Sequence, residues 1–275
     1  MTIAMLLKMA VVSLGTIQYG WNSGVINQPR DSITGEIPMS NLLWGVFVSM
    51  FHVGGIIGGF GGGHLASSFG RKNTLWVNNL LFISGGCFLY LAPSTLILCC
   101  GRFLTGLGAG VGTAVVPLYI SELSPLGSRG SYGSINQLSI VIGALLSLVA
   151  GTYLSTPEHW RIMLLLTAAP ASLQLLLLPL FLCESPRWLL SHGATDQDAR
   201  KALVSVRSKA TQDEIDSELR ALLDAETSCS PNDKTTSLVA LFSKRHLRIP
   251  LLAVFCLQFC QQLSGIKVYT YYVSG

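Results

Sequence analysis

The sequence predicts an all-α membrane protein, and three observations predict it. Half of the 275 residues are hydrophobic and only 12% are charged, against roughly 25% in an ordinary soluble domain. The charges are also gathered into short stretches. Met9 to Pro29, Asn41 to Phe69, Ser131 to Pro157, Ile162 to Cys183 and Ile249 to Ile266 contain no Asp, Glu, Lys or Arg. Each is close to the ~20 residues that a helix needs to cross hydrocarbon, the last being the shortest.

The first span runs from about Ile3 to Ile26. An early Lys8, no small-residue cleavage site and a continuing apolar run identify it as a retained helix rather than a signal peptide. Its Gln18-Tyr19-Gly20-Trp21-Asn22 segment is polar and aromatic at membrane depth, which suits a protein interior or a cavity better than lipid. Span two, Leu42 to Leu65, carries Gly54, Gly55, Gly58, Gly59, Gly61, Gly62 and Gly63, a spacing that lets helix backbones approach. His52 in the same span is expected to be a helix-facing, hydrogen-bonded residue, because no membrane-buried carboxylate is available to make it a proton relay.

From Asn73 to Ser121 the one charge is Arg102. That stretch is too long for a single helix, so Pro93-Ser94 is the expected turn between spans three and four. Gly106, Gly108, Gly110 and Gly112 could be mistaken for a dinucleotide loop, but no soluble strand precedes them and no acidic residue follows ~20 positions on. Spans five and six come from the next two uncharged stretches. A seventh begins at Ile249.

Between spans six and seven lies a long polar segment with helical periodicity. Ala199, Ala202, Leu203 and Val206 recur at helical spacing, and a second helix opens on the capping-box pattern Thr211-Gln-Asp-Glu214, followed by Ile215, Leu219, Leu222 and Leu223. Thr227 to Ser237, rich in Ser, Pro, Asn and Asp, is the expected loop after it. The seven cysteines do not form a secreted disulfide framework, and Cys256 and Cys260 lack His or carboxylate neighbours for a metal. Basic residues set the orientation. One group of loops carries Lys8, Arg71, Lys72, Arg129 and the basic residues of the long segment; the other carries Arg30, Arg102 and Arg161. The positive-inside rule therefore puts the N-terminus and the long segment in the cytoplasm.

Seven motifs run in order along the chain: Gly20-Trp-Asn-Ser-Gly-Val-Ile, Gly70-Arg-Lys-Asn, Gly101-Arg-Phe-Leu-Thr-Gly, Pro117-Leu-Tyr-Ile-Ser-Glu with Arg129-Gly, Asn136-Gln-Leu, Glu184-Ser-Pro-Arg-Trp and Gln261-Gln-Leu-Ser-Gly-Ile. Together they resemble the sugar porters of the major facilitator superfamily, the group that includes the facilitative glucose transporters. The resemblance implies two six-helix bundles joined by a cytoplasmic helical segment, with a substrate site near the bilayer midplane. On this chain it implies a six-helix N-terminal bundle over 1–182, a helical linker over 183–248 and the start of the second bundle over 249–275.

A neutral sugar presents hydroxyls that both give and accept hydrogen bonds, and side-chain amides match that chemistry. The amides at membrane depth are read as Gln18, Asn22, Gln137, Gln258, Gln261 and Gln262, with interhelical bonding the competing role for Gln18 and Gln258. The resemblance implies that Gln137, Gln261 and Gln262 bind sugar hydroxyls, and Asn22 is expected with them in the substrate site. It also implies that Asn22 stands where proton-coupled members carry an aspartate, which favours downhill uniport over symport. Arg71, Lys72, Glu122, Arg129, Glu184 and Arg187 are implied to form the salt-bridge network that latches the bundles on the cytoplasmic side. Such a latch can bias a two-state switch separated by a few kcal/mol.

The expected function is facilitated, alternating-access transport of a hexose-type sugar by a multi-pass protein of the plasma membrane. The competing expectation is a transport-incompetent half-molecule that senses or pairs with a complementary transporter chain. The family motif continues Gly-Ile-Asn, whereas this chain has Gly265-Ile266-Lys267, so a truncated product is expected. No catalytic dyad, metal cluster or phosphate loop points to an enzyme, a metal or a cofactor. The net charge of +4 fits membrane anchoring rather than nucleic acid.

Overall fold

Proline, glycine and capping residues place the breaks between helices. In the computed structural model, which describes residues 3–207, 211–228 and 245–263, every regular element among the described residues is helical. The chain divides into two compact units, Met1–Asp216 and Ser217–Gly275.

The first unit opens with α1 (Ile3–Gly24), a short α2 (Arg30–Glu36) and the long α3 (Asn41–Phe69), which Ser40 caps by accepting from the Leu43 N–H. The expected turn at Pro93-Ser94 separates α4 (Arg71–Tyr90) from α5 (Thr95–Leu123). A single 3-10 turn, Leu126–Ser128, leads into α6 (Arg129–Leu154). The sixth span is two pieces, α7 (Trp160–Leu165) and α8 (Ala168–Phe181). Pro170 supplies the reason: it has no N–H to return to the Leu166 carbonyl, and Ala169 N–H bonds Leu166 O at 3.1 Å instead.

Four of these, namely α3, α5, α6 and the α7–α8 pair, are long and apolar enough to cross a membrane. α1 and α4, of 22 and 20 residues, are also of crossing length but carry Gln18, Asn22, Asn78 and Asn79 in their interiors.

Backbone contact between glycines joins α3 to α5. A Cβ on Gly54 would overlap Phe103 O, one on Gly58 would overlap Leu107 O, and one on Gly110 would overlap Gly55 O. Gly62 meets Val111 in the same way, whereas Gly61 and Gly63 face open space. Gly20 of α1 and Gly143 of α6 make a second close crossing against Ile140 O and Ile17 O.

Arg102 corrects the orientation reading, because it lies in no outer loop. It sits inside α5 at 1% exposure. Its guanidinium carbon is 4.7 Å from the Phe51 ring centre and 5.9 Å from that of Phe47, a cation–π environment that makes a buried charge tolerable. His52 is exposed on α3, edge-on to the Phe51 ring.

Beyond α8 the chain forms α9 (Pro186–Ser191), capped by Ser185, and α10 (Asp196–Val206), capped by Thr195. Ala199, Ala202, Leu203 and Val206 are the buried residues of α10, as their spacing predicts. Val206 belongs to the core cluster that also contains Met9, Tyr119 and Leu178, so α10 closes one end of the bundle. The end that carries Lys8, Arg71, Glu122 and α10 is called the linker end below.

The last helix of this segment, α11 (Gln212–Ser228), opens with the expected capping box. Thr211 N–H donates to Glu214 Oε2 at 2.8 Å, and Glu214 N–H donates to Thr211 Oγ1 at 3.4 Å. Thr227 and Ser228, expected in the loop, complete the helix, and the rest of that loop lies outside the described residues. In the second unit, α12 (Arg245–Leu263) carries exposed Leu252, Phe255 and Phe259.

Candidate functional site

Two polar constellations occupy the first unit. One is buried among the spans and the other lies at the linker end.

The buried constellation is built from amides on α1, α4 and α8. Gln18 Nε2 donates to Asn79 Oδ1 at 3.1 Å and to Gln174 Oε1 at 3.3 Å. Gln174 Nε2 then donates to Val11 O at 2.7 Å. All three amides are fully buried, so each bond replaces one that water would otherwise make. Gln18 therefore takes the interhelical role rather than an open one. Among the described residues, Gln18 Oε1, Asn79 Nδ2 and both amide atoms of Asn78 have no hydrogen-bond partner, which leaves this buried cluster with spare polar groups.

One turn further along α1, Asn22 is fully buried. Its Nδ2 donates to Gln18 O at 2.9 Å, and its Oδ1 accepts from Thr167 Oγ1 at 3.3 Å. Arg102 Nη1 donates to the Asn22 backbone oxygen at 3.1 Å. Arg102, Asn79, Thr167 and Gln174 are absent from the residues that sequence reasoning selected. For the two amides the signal was available, since each is an amide within an uncharged stretch.

Gln137 does not join this buried cluster. It is exposed on α6, next to the half-buried Asn136, whose Oδ1 has no partner among the described residues. The buried stripe of α6 is Tyr132, Ser139, Gly143, Ser147 and Gly151, at helical spacing, and Gln137 is off it. Gln258 and Gln261 are exposed on α12 of the second unit. The Gln262 side chain, with Gly265, Ile266 and Lys267, lies outside the described residues.

At the linker end, Arg71 and Glu122 make a two-pronged ion pair. Nε reaches Oε2 at 2.8 Å and Nη2 reaches Oε1 at 2.7 Å, with the side chains 12% and 5% exposed. Parallel N–H···O bonds of this kind are the strong form of the interaction. Arg71 Nη1 also donates to Ala66 O at 3.1 Å, which fastens the pair to the end of α3.

Glu184, from the far side of α8, caps α4. Its Oε1 accepts the Arg71 N–H at 2.8 Å and its Oε2 accepts the Lys72 N–H at 3.1 Å. A carboxylate there satisfies the free amides of the first turn and meets the positive end of the helix dipole. Gly70 makes room for it. Its φ is +91°, and a Cβ would overlap Glu184 Oε2.

Of the six residues expected in the network, Arg71, Glu122 and Glu184 are thus joined, and Lys72 joins them through its backbone. Arg129 and Arg187 are exposed, and neither has a side-chain hydrogen bond or ion pair among the described residues.

The opposite end has its own clamp. Glu36 accepts from Trp160 Nε1 at 2.8 Å and from Arg161 Nη2 at 2.8 Å, while Arg161 Nη1 donates to Tyr90 O and Ala92 O at 2.8 and 2.9 Å. The Arg161 and Trp160 hydrogen bonds hold the Glu36 carboxyl below its ordinary range.

A bundle of apolar spans around buried amides, closed at one end by a charged cluster and short helices, defines a multi-pass membrane protein of the major facilitator type. The chain belongs to the sugar (and other) transporter family, whose model matches residues 8–275, and within that superfamily it is a sugar porter.

It is 37% identical over 293 residues to the solute carrier family 2, facilitated glucose transporter member 3 of Canis lupus familiaris, and equally so to that of Homo sapiens. All of this chain aligns with 58% of each relative's length. The proton:xylose symporter XylE, solved with 6-bromo-6-deoxy-D-glucose, superposes with a TM-score of 0.83 at 28% identity, over 98% of this chain and 61% of that one. These relatives are transporters, not enzymes.

Proposed function

We propose that the chain works in the transmembrane passage of a hexose-type sugar, by facilitated diffusion with alternating access. The observation that carries this reading is position 22. Proton-coupled sugar porters bear a carboxylate at the matching place, whereas here an amide is fully buried and hydrogen-bonded to Thr167 and to the Gln18 carbonyl. An amide has no proton to take up and release at physiological pH, so the site favours sugar movement without a coupled ion.

The division of labour follows from the family. Gln137, Gln261 and Gln262 meet sugar hydroxyls, and the exposure of Gln137 on α6 supports that role. Asn22, being buried, acts from behind that surface by holding α1 against Thr167 and Arg102. Arg71, Glu122 and Glu184 form the fixed part of the linker-end latch. Arg129 and Arg187, exposed beside it, are the groups left to meet a second bundle. Residues 1–182 make the first bundle, 183–248 the linker and 249–275 the start of the second. The linker end faces the cytoplasm of a plasma-membrane protein, and moving Arg102 out of the opposite loops strengthens the basic asymmetry behind that orientation.

The chain spans 58% of the length of its relatives. A second reading is a half-molecule that pairs with a complementary chain or senses sugar without moving it; Arg129 and Arg187, exposed and without a side-chain partner among the described residues, leave cations for such a pairing. Hexose uptake by a transport-deficient host separates the two. The chain is expressed alone and together with the remaining segment of the canine relative. Uptake with the pair and none with the chain alone is the expected result for a half that needs its partner; no uptake in either arm would count against transport.

A further inference from the structure

A groove of about 280 Å³ opens at the linker end, between the start of α1, the end of α8 and α10. Its walls are of two kinds. Leu7, Leu180 and Phe181 form an apolar side at the tips of two membrane helices, and Leu180 is 76% exposed. Lys8 and Ser205 form the polar side.

Lys8 Nζ donates to Ser205 O at 2.5 Å and to Ser205 Oγ at 3.3 Å. Both partners are neutral, and no carboxylate lies within ion-pair reach of Lys8 among the described residues. An ammonium carries three N–H donors, so one donor and the whole positive charge remain. A second groove along α10, lined by Gln197, Arg200, Lys201 and Val204, continues from the first through the shared Ser205. Apolar surface at the tips of two membrane helices thus runs directly into the Lys8 cation, which has no carboxylate partner among the described residues, and then onto α10, where Arg200 and Lys201 are already paired with Asp216 and Asp198.

We propose that this groove holds an anionic phospholipid from the leaflet on the linker side. Its acyl chains lie along Leu7, Leu180 and Phe181, and its phosphate meets the Lys8 ammonium. A zwitterionic lipid brings the same phosphate with its own cation attached, which must then sit near Lys8 and Lys201. A soluble phosphate ester has nothing to cover the apolar wall. Because Lys8 is already bonded to Ser205, the lipid bridges the first span and α10, and so ties the helical segment after span six to the bilayer.

The test is native mass spectrometry of the full chain purified in mild detergent. It is titrated in separate arms with phosphatidylglycerol, with phosphatidylcholine of the same chains, and with glycerol 3-phosphate. Phosphatidylglycerol is expected to be retained preferentially, and glycerol 3-phosphate not at all. Lys8→Gln is expected to lower phosphatidylglycerol retention roughly fivefold, the worth of one basic residue at a membrane surface, and Lys8→Arg to preserve it. Lys201→Gln is expected to matter less, because Lys201 is already 3.4 Å from Asp198. Equal retention of the two lipids by the unsubstituted chain overturns the proposal, even should Lys8→Gln fail to fold. So does binding of glycerol 3-phosphate as tight as that of the lipid, or undiminished retention in Lys8→Gln.

Discussion

Glu184 and Arg71 meet through the main chain of one and the carboxylate of the other: Glu184 Oε1 accepts the Arg71 N–H at 2.8 Å, while the Arg71 guanidinium turns away to grip Glu122. One residue at a helix start is therefore held from both sides. Removing Glu122 strands a guanidinium that is only 12% exposed. Glu122→Gln is expected to cost about 1–3 kcal/mol, read as a lower apparent Tm in detergent. It should also raise labelling of cysteines engineered at the linker end. Unchanged Tm and unchanged labelling would remove the pair from both stability and gating.

Gly70 carries a sharper expectation, because two independent demands fall on it. Its φ of +91° disfavours a side chain, and a Cβ would displace Glu184 from the α4 cap. Gly70→Ala should cost about 1–3 kcal/mol from the backbone alone. Combined with Glu184→Gln it should be less than additive, since both changes remove the same cap. A thermal double-mutant cycle measures this directly.

The glycine crossing of α3 and α5 separates positions that look alike along the chain. Gly110→Ala would drive a methyl into Gly55 O, and an overpacked contact of this kind costs about 1–3 kcal/mol. Gly61→Ala points into open space and should be neutral or slightly stabilising, since alanine is the better helix former. Comparison of the two melting temperatures checks the packing face.

Acid should loosen the opposite end. The Arg161 and Trp160 hydrogen bonds lower the Glu36 pKa in the folded chain, so their contribution is present above the ordinary glutamate value of ~4.3. It is lost as pH falls through the lower folded value. Arg161→Gln should therefore flatten the acid limb of the stability profile below about pH 4, as followed by Trp160 fluorescence.

Sequence reasoning found the elements because their signals are local. The Pro93-Ser94 turn, the Thr211–Glu214 capping box and the buried stripe of α10 each lie within a few residues. Arg102 was hidden for the opposite reason. A charge in a hydropathy pattern marks a boundary, and only the approach of Phe47 and Phe51 from α3 and the Asn22 carbonyl from α1 makes an interior position tolerable. The same holds for Gln18, Asn79 and Gln174, which sit on three different helices. A glycine run likewise does not say which of its members face a partner. Gly54, Gly58 and Gly62 do, while Gly61 and Gly63 do not.

Position 22 is where the proposed absence of proton coupling can be altered by one substitution. Asn22→Asp would replace the buried amide that donates to the Gln18 carbonyl and accepts from Thr167 Oγ1. A carboxyl at that place supplies the proton-carrying group that the amide lacks. In an assembly that transports, the substitution is expected to make sugar entry depend on external pH, measured as uptake across pH 5 to 8. A flat profile would mean that position 22 does not reach the transport pathway.

The most direct test is hexose entry into sealed vesicles that hold this chain with the complementary segment of a relative, recorded together with internal pH. Sugar should enter until the two sides are equal, with internal pH unchanged. Sugar accumulating above the outside concentration, or an interior that acidifies in step with entry, would contradict facilitated diffusion.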